Sequence, residues 1–511
     1  MNLFKQHILT LLAIFISLSA FSQRAEPEDA EEHFKYGNFI DALIVYKKLI
    51  VKDPENIDYP YKAGLCVLFT DRDKREAIGY LETASEKKSD PDVDFYLGKA
   101  YHLNLKLDQA LASFQKYKSV GEGKKIAEVD REIEMVQNAK KLVSSPIDVS
   151  FENAGDNINT EYPDYYPFVT PDESFMVFTS RRKSGVREFD GYYPSAIYYS
   201  KVDSGEFEKA KKGNSMINSS YDDQAVGLSY NADKLFIYFD DIKNVGDIYE
   251  AEIKDFRFRK KEKMGESVNS NGFESAATIS ADGNTLFFAS RRDGGMGEKD
   301  IYMTRKLPTG DWAEPQNLGP NINTPYDEDF PNLFYDGATL YFSSKGHNSM
   351  GGFDYFKATW NAETNEWGKP ENIGYPLNTP DDDICISFTE DQSHAYISAW
   401  RKDSKGEKDI YKVTFNERDN RQTVYKSKIL AVGSTDAITD AFVSVIDNRT
   451  QEEVGTYVPN PKNGSFVIIL KPGSYNILVD APGFAPKSED IVVLGKSDFI
   501  PFATKEFMVT P

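Results

Sequence analysis

Three patterns in the sequence predict a multidomain fold: an all-α tetratricopeptide array, an all-β propeller and a small β-sandwich. The first is a stretch repeated five times between Asn159 and Val413, opening at Asn159, Asn218, Asn269, Asn323 and Asn378 in steps of 59, 51, 54 and 55 residues. Repeats of that length, each carrying several short alternating strands, predict propeller blades. The second is a helical region in which Ala42, Ala77 and Ala110 recur 35 and 33 residues apart, each followed by a large side chain, Tyr46, Leu81 or Phe114. The third is a run of short alternating strands after Val413. The expected boundaries are a leader over 1–22, helical repeats over 23–144, the propeller over 145–415 and the sandwich over 416–511.

The clearest blade reads Ile322-Asn323-Thr324-Pro325-Tyr326-Asp327-Glu328-Asp329-Phe330, then Asp336-Gly337 and Thr339 to Ser344, a glycine-rich loop, and Asp354-Tyr355-Phe356. Each copy is read as four strands, with tight-hairpin residues such as Pro171-Asp172, Asp282-Gly283 and Glu390-Asp391 between the first two. The third strand opens at Asp247-Ile248-Tyr249, Asp300-Ile301-Tyr302 or Asp409-Ile410-Tyr411. Glu152 to Asn159 matches Gln316 to Asn323, so a fourth strand precedes the first copy, whereas the last copy lacks one. Closure by Ile147 to Glu152 therefore predicts five blades, with six if a degenerate blade is hidden.

In the helical region, small residues let antiparallel helices approach and the aromatic residues fill the space between pairs, which is the mechanics of tetratricopeptide repeats. Pro54 and Pro91 fall between repeats, and Lys124 to Leu142 is expected to cap the stack. Such an array offers a concave groove to a partner, or serves only as a spacer. The sandwich strands are expected at Val424–Val432, Ala441–Ile446, Ser465–Leu470, Tyr475–Val479 and Ile491–Val493, and the module is read as binding or spacing.

Met1 to Lys5 followed by apolar Ile8 to Ala20 and then Ala20-Phe21-Ser22 is expected to be a secretory leader cleaved near Ser22/Gln23. No later apolar run is long enough to span a bilayer. With 60 basic and 81 acidic residues the net charge is −21, and removing a leader whose only charge is Lys5 leaves about −22. Such a balance argues against a nucleic-acid partner. Cys66 and Cys385 lie in different expected domains, so neither a disulfide framework nor a thiolate zinc site is expected. The five histidines, His7, His33, His102, His347 and His394, show no metal-ligand spacing, and no cofactor motif is present.

Two charge patterns are the binding candidates. Acids precede the first strand of every blade: Asp164, Asp222 with Asp223, Glu274, Asp327 with Glu328 and Asp329, and Asp381, Asp382 and Asp383. On one rim they either hold a cation or basic peptide or accept hydrogen bonds from turn amides. Basic residues follow the second strand at Arg181-Arg182, Arg291-Arg292, Lys345 and Arg401-Lys402, while Asp190, Asp300, Asp354 and Asp409 precede the third. These sets either clasp across each hairpin or present a basic ring to a ligand, and Asp240-Asp241 interrupts the pattern in the second blade. Gly294-Gly295-Met296-Gly297 and Met350-Gly351-Gly352 lack a following Lys-Ser or Lys-Thr and read as wide hairpins rather than phosphate cradles. Ser280-Ala281-Asp282-Gly283 is similar to a sialidase Asp box without its spacing, and no Gly-x-Ser-x-Gly elbow follows, so no enzyme is expected.

With Ser280 to Gly283 and the Asp-Ile-Tyr strand starts, the blades resemble the WD40-like PD40 repeats of TolB-type propellers, and the terminal module resembles a carboxypeptidase regulatory-like domain. The order of modules is similar to OmpA-family envelope proteins of Bacteroidetes, including the PorE component of type IX secretion. Those relatives continue into an OmpA-like, peptidoglycan-gripping domain, and no residue here matches it. The resemblance implies a non-catalytic periplasmic scaffold whose protein partners are an outer-membrane barrel of the PorP/SprF kind or secretion and gliding components. The alternative is a glycan- or peptidoglycan-binding protein using Trp312, Trp367 and Trp400.

Overall fold

The computed structural model describes residues 26–240, 246–390, 392–416, 422–448, 451–471, 473–493, 500 and 502–510. The expected leader lies outside the described residues. Two compact units divide the chain between Phe415 and Asn416.

In the first unit, five antiparallel sheets carry the repeats. Within each, the strands follow chain order: in blade 1, Asp164–Val169, Phe175–Ser180 and Ala196–Asp203 pair in sequence, with short outer strands at Glu206–Phe207 and Lys211–Lys212. Blade 5 is completed by the strand that precedes blade 1, because Val149–Asn153 pairs antiparallel with Asp409–Phe415. That pairing covers the outer edge of Asp409–Phe415 with the strand that leads into blade 1, which closes the ring.

The recurring asparagines explain why the blades stay in register. Asn218 accepts from the Ile197 amide at 2.7 Å and donates to the Ile197 carbonyl at 3.0 Å. Asn269 does the same to Ile248, Asn323 to Ile301 and Asn378 to Tyr355. Asn159 binds both polar groups of Ile410 at 2.8 Å, so the same clamp ties blade 5 to the chain entering blade 1. Each side chain satisfies one buried amide that the ladder leaves over and adds a second donor to a carbonyl that already accepts a backbone amide.

First strands line the axis, and they carry bulges. Register shifts fall between Tyr165 and Phe168, Glu274 and Ala277, and Asp329 and Asn332. Tyr166, Phe330 and Cys385 take left-handed backbone angles, φ 54°, 48° and 64°. At two of the bulges the Tyr166 and Phe330 rings pack 4.4 Å apart, and the first strands leave a cavity of about 50 Å³ lined by residues of all five blades, among them Phe168, Gly227, Thr278, Asn332 and Ser387.

Ahead of the propeller are seven helices among the described residues: α1 (Pro27–Lys35), α2 (Phe39–Lys52), α3 (Asp58–Leu68), α4 (Arg75–Lys87), α5 (Val93–Leu103), α6 (Leu107–Val120) and α7 (Val129–Val143). Pro27 opens α1, the Asn38 side chain accepts the Asp41 amide at the start of α2, and Gly121 ends α6 at φ 70°. Ala42, Ala77 and Ala110 are fully buried, and a side chain at Gly98 would meet the Phe114 ring at 2.7 Å.

The expectation of an all-α tetratricopeptide array is nevertheless corrected. The described chain is mostly β, its helices are 9 to 15 residues long, and they belong to the same compact unit as the propeller. Periodic alanines specify close approach of antiparallel helices, which any helical hairpin needs; they do not specify a free-standing array. Here one side of the helical layer is committed to the propeller. The Arg131 guanidinium donates to the carbonyls of Lys345, Gly346 and His347 and to Ser349 Oγ, and Asn138 donates to the Ser349 carbonyl at 3.1 Å. Arg72 pairs with Glu407 at 3.2 Å, Lys408 with Asp71 at 3.4 Å and Arg187 with Asp41 at 3.3 Å. Helices thus sit on the loops of blades 1, 4 and 5, at the face where first strands begin.

The second unit is a two-sheet module. Thr423–Ala431 lies between Ser465–Leu470 and Phe502–Val509 in one sheet, the latter pair parallel, and four further strands form the other. Val443, Val445, Ile468, Ile477 and Phe507 are fully buried in one core between them.

Candidate functional site

The acidic rim is built at the first turn of each blade and is occupied by the protein itself. Asp164, Asp223, Glu274, Glu328 and Asp383 are almost wholly buried. Each carboxylate accepts the amide and the hydroxyl of the Thr or Ser four residues earlier: Thr160, Ser219, Ser270, Thr324 and Thr379. Glu328 also accepts from Ser344 Oγ at 2.7 Å, and burial pushes its carboxyl up to about 8. Asp327 holds the Lys299 amide and the Lys345 ammonium at 3.1 and 3.0 Å, while Asp329 holds Ser275 Oγ at 2.6 Å and pairs with Lys299. Of the two sequence alternatives, these geometries favour turn acceptance over a cation ring. Among the described residues no group of three or more His, Cys, Asp or Glu is arranged to hold a metal ion.

The basic set divides. Arg181 forms the expected clasp, 3.0 Å from Asp190, and also pairs with Glu188 at 3.0 Å. Elsewhere the expected partners are taken. Arg291 pairs with Glu298 rather than Asp300, Lys345 pairs with Asp327 rather than Asp354, and Arg401 stacks 3.2 Å over Phe151 with Nη2 on the Pro376 carbonyl. The reason is local: Asp300, Asp354 and Asp409 each accept loop amides, from Met296, Met350 and Lys405, and an amide group from Asn317, Asn372 or Asn153. The neighbouring Arg182 and Arg292 reach inward to Asp164 and Glu274 instead. Asp241, on which the second blade's exception partly rests, lies outside the described residues.

Asp354 illustrates the cost of this arrangement. It is fully buried, one carboxylate oxygen has no hydrogen-bond partner, and burial pushes the group up to about 7. The folded chain therefore keeps a proton that the unfolded chain releases, so stability falls as pH rises from about 4 to about 7 and levels off above. Asp354→Asn retains the acceptor for Met350 and Asn372 and removes the charge. It should flatten that part of the urea-unfolding pH profile and stabilise the protein by on the order of 2 kcal/mol at pH 8. An unchanged profile would remove Asp354 from the explanation.

Asp381, Asp382, Asp383 and Arg401 come together at one place, a cleft of about 390 Å³ between the helices and blade 5. Its helical wall is Arg72 to Arg75, leading into α4, and Leu103 to Leu105, at the end of α5. Its propeller wall is Tyr375 to Pro376, Thr379 to Asp383 and Ala399 to Lys402, with Lys408. Asp382 accepts the Phe353 amide at 2.9 Å, and burial and Asp354 raise Asp383 well above the usual carboxylate range. Burial opposes the Asp381 charge, yet Lys74 and Lys408 hold its carboxyl below the ordinary value. The three other named acids, Asp327, Glu328 and Asp329, belong to blade 4, and Arg181 and Arg291 to blades 1 and 3; none of them lines this cleft.

Sequence reasoning missed the helical half of the cleft. Its signal was the charged turn Asp71-Arg72-Asp73-Lys74-Arg75 between two apolar helical stretches. Of the three tryptophans named, Trp367 is buried against Phe287 and Trp360, Trp312 packs on the propeller core, and only Trp400 lines the cleft. A second surface feature is the loop of blade 1 between its second and third strands, where Val186 and Phe189 are 83% and 82% exposed.

No protein-family model matches the chain, and no curated protein matches it. Similar solved structures include a glycoside hydrolase at 7% identity, with 55% of this chain and 95% of that chain covered and a TM-score of 0.39. TolB from Acinetobacter baumannii is similar at 15% identity over 57% of this chain and 70% of its own, TM-score 0.32. The periplasmic gluconolactonase of Pseudomonas aeruginosa is similar at 10% identity over 65% and 88%, TM-score 0.28. None of these likenesses carries the functional reading, which rests on the residues. Among the described residues, no helix is long and apolar enough to cross a membrane.

Proposed function

We propose that the chain is an exported, non-catalytic adaptor of a Gram-negative envelope, similar in its propeller and regulatory-like modules to the PorE and OmpA-family proteins of Bacteroidetes. Its leader is removed near Ser22/Gln23, it works in the periplasm, and its partners are an outer-membrane barrel of the PorP/SprF kind or components of secretion and gliding. The observation that carries this reading is the blade 1 loop. An apolar pair at 83% and 82% exposure, Val186 and Phe189, stands on a loop that is held in place. Phe189 packs one side on Tyr36 with ring centroids 5.3 Å apart, Arg187 pairs with Asp41, and the Glu188 amide donates to the Tyr192 carbonyl at 2.7 Å. A rigid, exposed aromatic anchor loses little freedom on binding, which is what protein interfaces use at their centres.

The test is affinity capture of the mature protein from native envelopes with crosslinking and mass spectrometry. Recovery of an outer-membrane barrel or secretion component, crosslinked at Lys183, is expected from wild type. Phe189→Asp should reduce recovery at least about tenfold, the scale of a hot-spot residue. Turnover of a sugar or peptide by the purified chain, or capture insensitive to Phe189, would overturn the reading.

A further inference from the structure

The cleft between the helices and blade 5 does not take part in that adaptor surface. Its charges are largely matched within the protein. Arg72 pairs with Glu407, Lys408 with Asp71 and Arg75 with Asp73, while Lys74 donates to the carbonyls of Leu68 and Thr70. A cleft whose charges cancel selects neither a polyanion nor a polycation. What it leaves open is different in kind. Trp400 is half-buried, and among the described residues no aromatic or cationic side chain stacks on its ring. Asp381 is partly exposed there, and the one described hydrogen bond to its carboxylate is from the Asp382 amide. Arg401 also lines the cleft, but its guanidinium is held on Phe151 and the Pro376 carbonyl.

An independent observation comes from the opposite wall. Leu105 follows the end of α5 with φ 56°, its amide donating to the His102 carbonyl at 2.8 Å and that of Lys106 to Tyr101 at 2.9 Å. Glycine is the ordinary residue at such a helix-terminating position, because a side chain is strained there. Here the position carries a leucine that is 36% exposed and lines the cleft. Strain kept at a cleft wall points to use of the side chain rather than to stability.

We propose that this cleft is a saccharide-binding site that takes a neutral sugar of one or two rings. Trp400 is the stacking platform for the apolar face of a ring. Leu105 closes on it from the helical wall, and the Asp381 carboxylate accepts from the hydroxyl groups. A volume of about 390 Å³ lies at the small end of ligand sites, which matches one or two rings better than an extended polymer.

The full mature chain is titrated with N,N′-diacetylchitobiose and with maltose, followed by isothermal calorimetry and by saturation-transfer NMR. At least one of the two should bind, with Trp400→Ala weakening it at least tenfold. Leu105→Gly should weaken it severalfold while the melting temperature stays level or rises, a combination that a purely structural leucine would not give. No binding of either sugar, or binding unchanged in both variants, would overturn the proposal. The adaptor reading is judged by envelope capture through Phe189, which neither outcome here alters.

Discussion

Gly227→Ala should destabilise the propeller by about 3 kcal/mol, read as a lower urea midpoint with the spectroscopic signature of the remaining native fraction unchanged. The glycine sits at the bulge of the blade 2 first strand, where the register slips between Ala225 and Gly227. A methyl group there would fall well inside contact distance of the Ala277 carbonyl oxygen in blade 3, and the Phe236 ring closes the other side. Backbone cannot yield as a flexible side chain would, so the two blades must move apart at the axis. A variant as stable as wild type would mean that the blades are less closely packed at the axis than described here.

Asn378→Ala should be comparably damaging, at about 3 kcal/mol. The substitution strands the Tyr355 amide, from which Asn378 accepts at 2.7 Å, and removes one of two donors from the Tyr355 carbonyl and from the Asn372 side-chain oxygen, to which Asn378 donates at 2.9 and 2.8 Å. Asn378 and Tyr355 are fully buried, so the larger part of the loss is that of an unsatisfied buried amide and the rest that of two ordinary hydrogen bonds. Asn378→Asp should fare no better, because a carboxylate oxygen would face the Tyr355 carbonyl. Thermal unfolding of the two variants beside wild type measures both expectations.

The same asparagines show what the sequence could reveal. Their spacing marked the repeats, and the match between Glu152 to Asn159 and Gln316 to Asn323 located the strand that closes the ring. Their clamp on the preceding third strand was not legible, because spacing along a chain does not say which backbone groups a ladder leaves unpaired. The charged residues were legible as sets but not as pairs. Asp354 and Asp409 were read as partners of Lys345 and Arg401, yet the glycine-rich loops offer amides closer than those side chains. In the helical region the periodic alanines gave the helix contacts correctly and the fold class wrongly, since a repeat pattern is silent about what covers a helix's outer side. Arg131, deep in the helix-to-propeller contact, carries no signal that separates it from a solvated helix arginine. The cleft followed the same rule: Asp381, Asp383, Trp400 and Arg401 were visible from the propeller side, whereas Leu105 depends on a backbone angle that no residue type announces.

The joining of helices to propeller is the feature on which both the composite cleft and the corrected fold class depend, and amide hydrogen exchange on wild type and Arg131→Met tests it directly. Arg131 is 11% exposed at its side chain, and its guanidinium makes its contacts to blade 4 within 2.5 to 3.3 Å. In wild type, the amides of α5 and α7 should be protected to the same level as the blade 4 strands, and in the variant that protection should fall for the helices while the blades keep theirs. Helices that exchange independently of the propeller in wild type, with no change on losing Arg131, would contradict the single unit described here.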